Sequence, residues 1–354
     1  MIIVMARGSS REDVNTVVER VKSIGLGAHL SEGEEVTIIG VVGSPLPSEL
    51  AGTLESLPGV ERVVRITKRF KLTGWDFHPQ RTIIDIKGVR VGGDEIMLIA
   101  GPCSVESEEQ TLSTARAVRD SGARILRGGA YKPRTSPYEF RGLGERGLDI
   151  LAKAGQETGM PVITEVMSPT DVDLIGRYAD IYQIGARNCQ NYLLLEEVGK
   201  TSKPVMIKRG ASVSVEEWLL AAEYVMAQGN PNVILCERGM RSFETATRFT
   251  LDIGAVAVAK QLSHLPVFVD PSHAAGKRAY VPSMSLAGVA SGADGLLIEV
   301  HPSPDHAMSD AAQQLTFDQF ADLVPRMRAV AHAVGRDLAP EASGVETHAA
   351  VAQA

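Results

Sequence analysis

With 354 residues, the chain is long enough for one barrel domain of about 250 residues and a small second unit. Apolar residues make up 44% and charged residues 22%, and no apolar run approaches the ~20 residues that cross a membrane, so no membrane partner is expected. A net charge of −7 argues against nucleic acid as the main partner, and three cysteines are too few for a disulfide framework, which makes a reducing cytoplasm the expected location.

The amino terminus, Met-Ile-Ile-Val-Met-Ala-Arg, lacks the basic-then-apolar order of a secretory signal and reads as a first strand. Valines at 14, 17, 18 and 21 then give helical spacing over residues 11–24. Short strands are predicted at 28–30 and 36–42, a short helix at 46–57 between Pro45 and Pro58, and a strand at 60–66. The order is βαββαβ, so residues 1–70 are read as a ferredoxin-like unit. It gathers no cluster of reactive side chains, and its expected role is regulation or assembly. Residues 71–80 read as a linker, and the runs 82–86 and 89–91 flank Lys87-Gly88 as a hairpin. Linker and hairpin occupy 71–95, and the hairpin is expected to plug the barrel bottom.

Eight short apolar runs follow within residues 96–337, at 96–100, 124–128, 161–166, 181–185, 204–208, 232–236, 266–270 and 295–300. Amphipathic stretches separate most of them. This is the pattern of an α/β fold, a (β/α)8 TIM barrel, whose active site is built at the C-terminal ends of the strands. Ser168-Pro169 and the Ser214/Glu217 capping box mark helix starts. Val215, Trp218, Leu219, Ala222, Val225 and Met226 form one apolar stripe, read as packing against the barrel. The last helix is predicted at about 316–334, and residues 338–354 as a disordered tail.

The runs end in residues that can do chemistry: Cys103; Arg127 with Lys132; Glu165; Arg187; Lys208 with Arg209; Glu237 with Arg238; Asp270 with His273; and Glu299 with His301. Cys103, His273 and Glu299 follow strands one, seven and eight, which become neighbours when a barrel closes, and Asp310 lies in the loop beyond. A thiolate, an imidazole and two carboxylates suit one divalent ion of intermediate softness, such as manganese, iron, cobalt or zinc. Singly, none is specific; a lone cysteine is more often a small buried hydrophobe. The loop from Arg127 to Ser136 carries three cations and two aliphatic hydroxyls, and Arg187, Lys208 and Arg238 converge from later strands. That is more positive charge than one phosphate needs, which points to two anionic substrates, or to one phosphate plus a carboxylate and a second phosphate. The bland alternative is pairing with Glu165, Glu237 and Glu299, expected for one or two of the cations.

Gly101-Pro-Cys-Ser-Val-Glu-Ser107, Lys132-Pro-Arg-Thr135, Gly185-Ala-Arg187, Lys208-Arg-Gly210, Cys236-Glu-Arg-Gly239 and Asp270-Pro-Ser-His273 resemble the 3-deoxy-D-arabino-heptulosonate 7-phosphate (DAHP) synthase family. The likeness covers residues 1–335 and is narrower with the short-barrel subgroup that carries an amino-terminal ferredoxin-like (ACT-like) domain. It implies condensation of phosphoenolpyruvate with erythrose 4-phosphate, with loss of phosphate, as the first step of the shikimate pathway. It places Cys103, His273, Glu299 and Asp310 on the metal. Arg127, Lys132, Ala186, Arg187, Lys208 and Arg238 fall to phosphoenolpyruvate, and Arg134 and Thr135 to the aldose phosphate. Lys132, Glu165 and His273 are the expected catalytic residues, with Lys132 or a metal-held water as proton donor and Glu165 orienting the attacking water. The resemblance further implies feedback inhibition by tyrosine or phenylalanine, with His29 and Ser31 at the effector site, and a homo-oligomer, a tetramer. The chain departs from the family at Phe249, where a polar Asn in a barrel helix is expected, and at Ala274; neither is a proposed ligand. The sister octulosonate 8-phosphate synthase usually carries Lys-Ala-Asn-Arg-Ser in place of the Lys132 loop. A metal-dependent hydrolase would want His-x-His at strand one, and a non-catalytic amino-acid sensor would have lost metal ligands.

Overall fold

A computed structural model describes residues 1–33, 36–43, 49–64, 69–134 and 136–340. Thr135, the start of the expected helix at 46–57, the end of the strand at 60–66, and 341–354 of the expected tail lie outside the described residues.

The amino-terminal unit runs β1 (Ile2–Met5), α1 (Arg11–Ser23), β2 (Gly27–Glu32), β3 (Thr37–Val42), α2 (Leu50–Glu55) and β4 (Val60–Val64). Ser10 starts α1 by accepting from the Asp13 amide, while the Asp13 carboxylate accepts from the Ser10 amide, a reciprocal cap. The strands form one antiparallel sheet in the order β2-β3-β1-β4, the ferredoxin-like arrangement. Alternation divides it into two apolar faces. Met1, Ile3, Met5, Ile39 and Val41 pack on Val14, Val17 and Val21 of α1 and on Leu50 and Leu54 of α2. Ile2, Val4 and Ile38 turn the other way and join Phe70, Leu72 and Phe77 in the cluster that continues into the barrel.

The segment at 71–80 is therefore docked rather than a loose tether. Glu223 accepts the backbone amides of Lys71, Leu72 and Thr73 at 3.0, 2.8 and 3.1 Å, and Trp75 donates to the carbonyl of Lys260. His264 closes the same seam, with Nε2 2.8 Å from the Leu72 carbonyl and Nδ1 2.6 Å from the Thr82 hydroxyl. A hairpin follows, β5 (Ile84–Ile86) and β6 (Val89–Val91).

The barrel comprises β7 (Glu95–Gly101), α3 (Glu108–Asp120), β8 (Ile125–Arg127), α4 (Glu145–Thr158), β9 (Val162–Val166), α5 (Val172–Gly176), β10 (Ile181–Ile184), α6 (Tyr192–Gly199), β11 (Val205–Lys208), α7 (Val215–Ala227), β12 (Val233–Glu237), α8 (Ile253–Leu262), β13 (Val267–Val269), α9 (Pro271–Ala275), α10 (Val281–Ala290), β14 (Gly295–Glu299) and α11 (Phe317–Ala333). Each strand pairs in parallel with the next, and β14 closes on β7. Met97, Ile99, Ile125, Ile163, Ile181, Met206, Ile234, Phe268 and Leu297 form an inner core with Ile84, Ile86, Val89 and Val91 of the hairpin, which seals the bottom. Their alternate neighbours pack outward on the helices, where Trp218 of α7 donates to the Ile207 carbonyl at 3.0 Å.

The reading of 338–340 as tail is corrected. Residues Asp337–Leu338 form β15, which pairs with β7 through Leu338 and Ile96, and Ala339 donates to the Ile96 carbonyl. Two residues are too few for a periodic signal. No helix among the described residues is long and apolar enough to cross a membrane.

Candidate active site

The inner-core residues set a parity that continues to the top of each strand. In steps of two from Ile125, Ile163, Ile181, Met206, Cys236, Phe268 and Leu297 come Arg127, Glu165, Gln183, Lys208, Arg238, Asp270 and Glu299. Arg127, Glu165, Gln183, Lys208 and Arg238 line a cavity of about 590 Å³ at the rim, joined by Lys132, Arg134, Ala186, Arg187, Arg248, His273 and Asp310. Gly185 also serves the rim: a Cβ there would collide with the Glu165 carboxylate, so the missing side chain makes room for it.

Arg209 and Glu237 fall on the opposite parity. Arg209 pairs with Glu237 at 3.0 Å and with Asp252 at 2.8 Å outside the cavity, a buried structural network. His301 likewise turns away, 3.3 Å from Glu106.

Three of the four residues predicted to hold metal converge. Cys103, Glu299 and Asp310 offer ligand atoms within 4.8 Å of one another, and His273 Nε2 lies 3.4 Å from Glu299 and 3.8 Å from Asp310. Asp270 orients the imidazole. It caps α9 through the His273 amide at 2.9 Å, accepts from Nδ1 at 2.7 Å and pairs with Lys208 Nζ at 2.5 Å. Burial lowers the His273 pKa, while Asp270 and Glu299 act to raise it. In the neutral tautomer with Nδ1–H on Asp270, the Nε2 lone pair faces two carboxylates, three acceptors around one space that a cation would reconcile.

The charges of the acids agree. Burial would raise Glu299, but His273, Arg127 and Lys132 outweigh it and hold the carboxyl well below the usual range. Asp310 is also lowered: burial and Glu299 push it up, and His273 and Arg248 bring it down. Burial pushes the Cys103 thiol up to about 12, with Glu299 adding to the effect. Its Sγ lies 2.9 Å from Ser309 Oγ and 3.1 Å from Lys132 Nζ. Sulfur ligates as thiolate, so an entering divalent cation would take the place of that proton. The donor set fits such an ion.

The cations divide into two groups. Arg127 pairs with Glu299 at 2.6 Å, Lys208 pairs with Asp270, and Arg134 and Arg248 approach Asp310 at 4.0 and 3.5 Å. Arg187 and Arg238 have no carboxylate within 4.0 Å and no hydrogen-bond partner among the described residues, so their charge faces the cavity. Lys132 donates to the Cys103 carbonyl and sulfur, both at 3.1 Å. Thr135 lies outside the described residues, so its placement beside Arg134 has no structural account.

His29 and Ser31 are far from the rim in a different sense: both lie on β2, paired with Gly40 and Ile38 of β3. That register puts them on the sheet face turned toward Phe77, since a Cβ on Gly40 would come 2.6 Å from the Phe77 ring. The reading from sequence missed Gln183, Arg248, Gln313 and the central role of Asp270. Strand parity could have found Gln183 and Asp270. Arg248 and Gln313 sit in loops, where no periodicity marks them; Gln313 donates to Glu299 at 2.6 Å.

Residues 80–334 match the model of the DAHP synthetase I family, and residues 1–68 that of the DAHP synthase ferredoxin-like domain. A phospho-2-dehydro-3-deoxyheptonate aldolase from Thermotoga maritima is 49% identical over 335 residues, covering 95% of this chain and 99% of the relative. Its crystal structure, as DAHP synthase, superposes with a TM-score of 0.76 at 48% identity over 96% of this chain and 99% of that one. A 2-dehydro-3-deoxyphosphooctonate aldolase from Syntrophotalea carbinolica is 35% identical over 266 residues, 70% of this chain and 95% of the relative.

Proposed function

This chain belongs to the DAHP synthetase I family, and on that premise we propose how its rim residues divide the work of condensing phosphoenolpyruvate with erythrose 4-phosphate and water into DAHP and phosphate. The observation that carries the reading is the juxtaposition of Cys103, Glu299 and Asp310, with His273 beside them, and cations of which two, Arg187 and Arg238, line the cavity with no carboxylate partner among the described residues. The octulosonate relatives account for only 70% of the chain, whereas the heptulosonate relative accounts for 95%, amino-terminal unit included.

Cys103, His273, Glu299 and Asp310 would hold one divalent metal, which supplies Lewis-acid polarisation of the aldehyde when bound. Arg187 and Arg238, with Lys208, hold the phosphate and carboxylate of phosphoenolpyruvate. Arg127 supports that cradle while remaining on Glu299, and the Ala186 backbone borders it. Arg134 and Thr135 take the phosphate of the aldose. Held this way, carbon 3 of phosphoenolpyruvate meets the aldehyde carbon, and a carbon–carbon bond forms at the expense of the enol double bond. Lys132 gives a proton to the alkoxide; burial would lower its pKa, but Cys103, Glu299 and Glu165 raise it, so it is protonated beforehand. Water adds to carbon 2 and passes a proton to Glu165. Cleavage of the carbon–oxygen bond then releases phosphate.

The amino-terminal unit is read as the site of feedback inhibition by tyrosine or phenylalanine through His29 and Ser31, in a homotetramer in the cytoplasm. The deciding experiment is a phosphate-release assay with phosphoenolpyruvate and either erythrose 4-phosphate or arabinose 5-phosphate, with and without chelator. Turnover with the four-carbon sugar, abolished by chelator, is expected. Preference for the pentose phosphate, or turnover untouched by chelator, would overturn the corresponding assignment.

A further inference from the structure

Phe249 precedes α8 rather than lying in a helix. The hairpin-like loop from Arg238 to Thr250 is closed by paired hydrogen bonds between Met240 and Thr250, at 2.9 and 3.0 Å. The same loop is clipped to α9, because the amides of Arg248 and Phe249 donate to the carbonyls of Ala275 and Ala274. Gly239, at φ +94°, lets the chain turn where a Cβ would come 2.6 Å from that of Phe249. The phenyl ring is thereby set against the segment that carries His273, with the Arg238 guanidinium carbon 4.2 Å above its centroid and that of Arg248 at 6.0 Å.

Arg238 is only 6% exposed, yet it has no ion-pair or hydrogen-bond partner among the described residues. A long, buried, unpaired cation needs something to define its orientation. A carboxylate would do so by cancelling its charge and taking up a donor, as Glu299 does with Nη1 of Arg127. An aromatic face attracts the cation while leaving every N–H free in the guanidinium plane.

We propose that Phe249 is a positioning residue for phosphate recognition: its ring holds the Arg238 guanidinium by stacking, so that the charge and all five donors remain available to the phosphate of phosphoenolpyruvate. The inference rests on the assignment of Arg238 to that phosphate. It also ties the cradle to the metal set, because the backbone that fixes the ring is hydrogen-bonded to the helix of His273.

The test compares Phe249→Leu and Phe249→Met, which keep apolar bulk without a π face, with Phe249→Tyr and Phe249→Trp, which keep the face. For each, KM for phosphoenolpyruvate, KM for erythrose 4-phosphate, inhibition by inorganic phosphate and Tm are measured. The aliphatic variants should raise KM for phosphoenolpyruvate and the phosphate inhibition constant together, by about 3- to 30-fold, with KM for erythrose 4-phosphate and Tm unchanged. The aromatic variants should stay near the parent. Aliphatic variants that bind phosphate like the parent overturn the platform, as does an equal loss in both classes. Arg238→Gln is the separate control: if it leaves phosphate inhibition intact, the assignment of Arg238 fails, whatever the Phe249 series shows.

Discussion

Arg127 Nη1 donates to Glu299 Oε1 at 2.6 Å, a buried ion pair that joins the proposed anion cradle to the proposed metal set. Removing one partner leaves the other charge without its counterion in a closed site. Arg127→Met should therefore lower stability by about 3–5 kcal/mol and raise KM for phosphoenolpyruvate. Adding Glu299→Gln should return part of that stability. Denaturant titration of both single variants and the double tests the coupling, and strictly additive losses would show that the pair contributes nothing of its own.

Cys103 would supply the soft member of the proposed ligand set, otherwise oxygen and nitrogen. Cys103→Ser should weaken binding of cobalt or zinc by at least about tenfold and reduce metal-dependent turnover in proportion. Metal content after dialysis and activity against added metal would report this. A serine variant that retains metal and rate like the parent would remove Cys103 from the site.

His264 gives a stability term with a defined sign. Burial holds its pKa down at about 4, below the ordinary 6.5 of histidine, and the neutral ring is satisfied by the Leu72 carbonyl and the Thr82 hydroxyl. Between those pH values the unfolded chain binds the proton and the folded one does not, so stability falls as pH drops from 6.5 toward 4. The full loss amounts to about 3 kcal/mol. Thermal melts across that window should show a steeper decline for the parent than for His264→Gln. Parallel curves would contradict the assignment.

His29 lies on an edge strand away from the cavity, so replacing it should spare the chemistry. His29→Ala is expected to raise the concentration of tyrosine or phenylalanine needed for half inhibition by about tenfold, with uninhibited turnover unchanged. Undiminished inhibition in the variant would move the effector site elsewhere.

The eight strands were legible because each is a short apolar run with a reactive side chain at or soon after its end, and the structure places their bounds within one or two residues of the expected ones. The convergence of Cys103, Glu299 and Asp310 was legible for a different reason: strands one and eight must adjoin in any closed barrel. What escaped depends on loops and on parity. Phe249 read as an inconsequential departure, because nothing in a linear pattern shows that it lies beneath Arg238. Arg209 and Glu237 stood beside true rim residues in the chain, and only the side to which each points separates them.

The amino-terminal sheet devotes one face to its own helices and the other to Phe70, Leu72 and Phe77. His29 and Ser31 share that second face by register. Both are part-exposed on the edge strand, so a molecule that engages them would sit beside the seam that fastens this unit to the barrel. The amides of residues 71–73, held by Glu223, are then the first barrel contacts through which such a molecule would be felt.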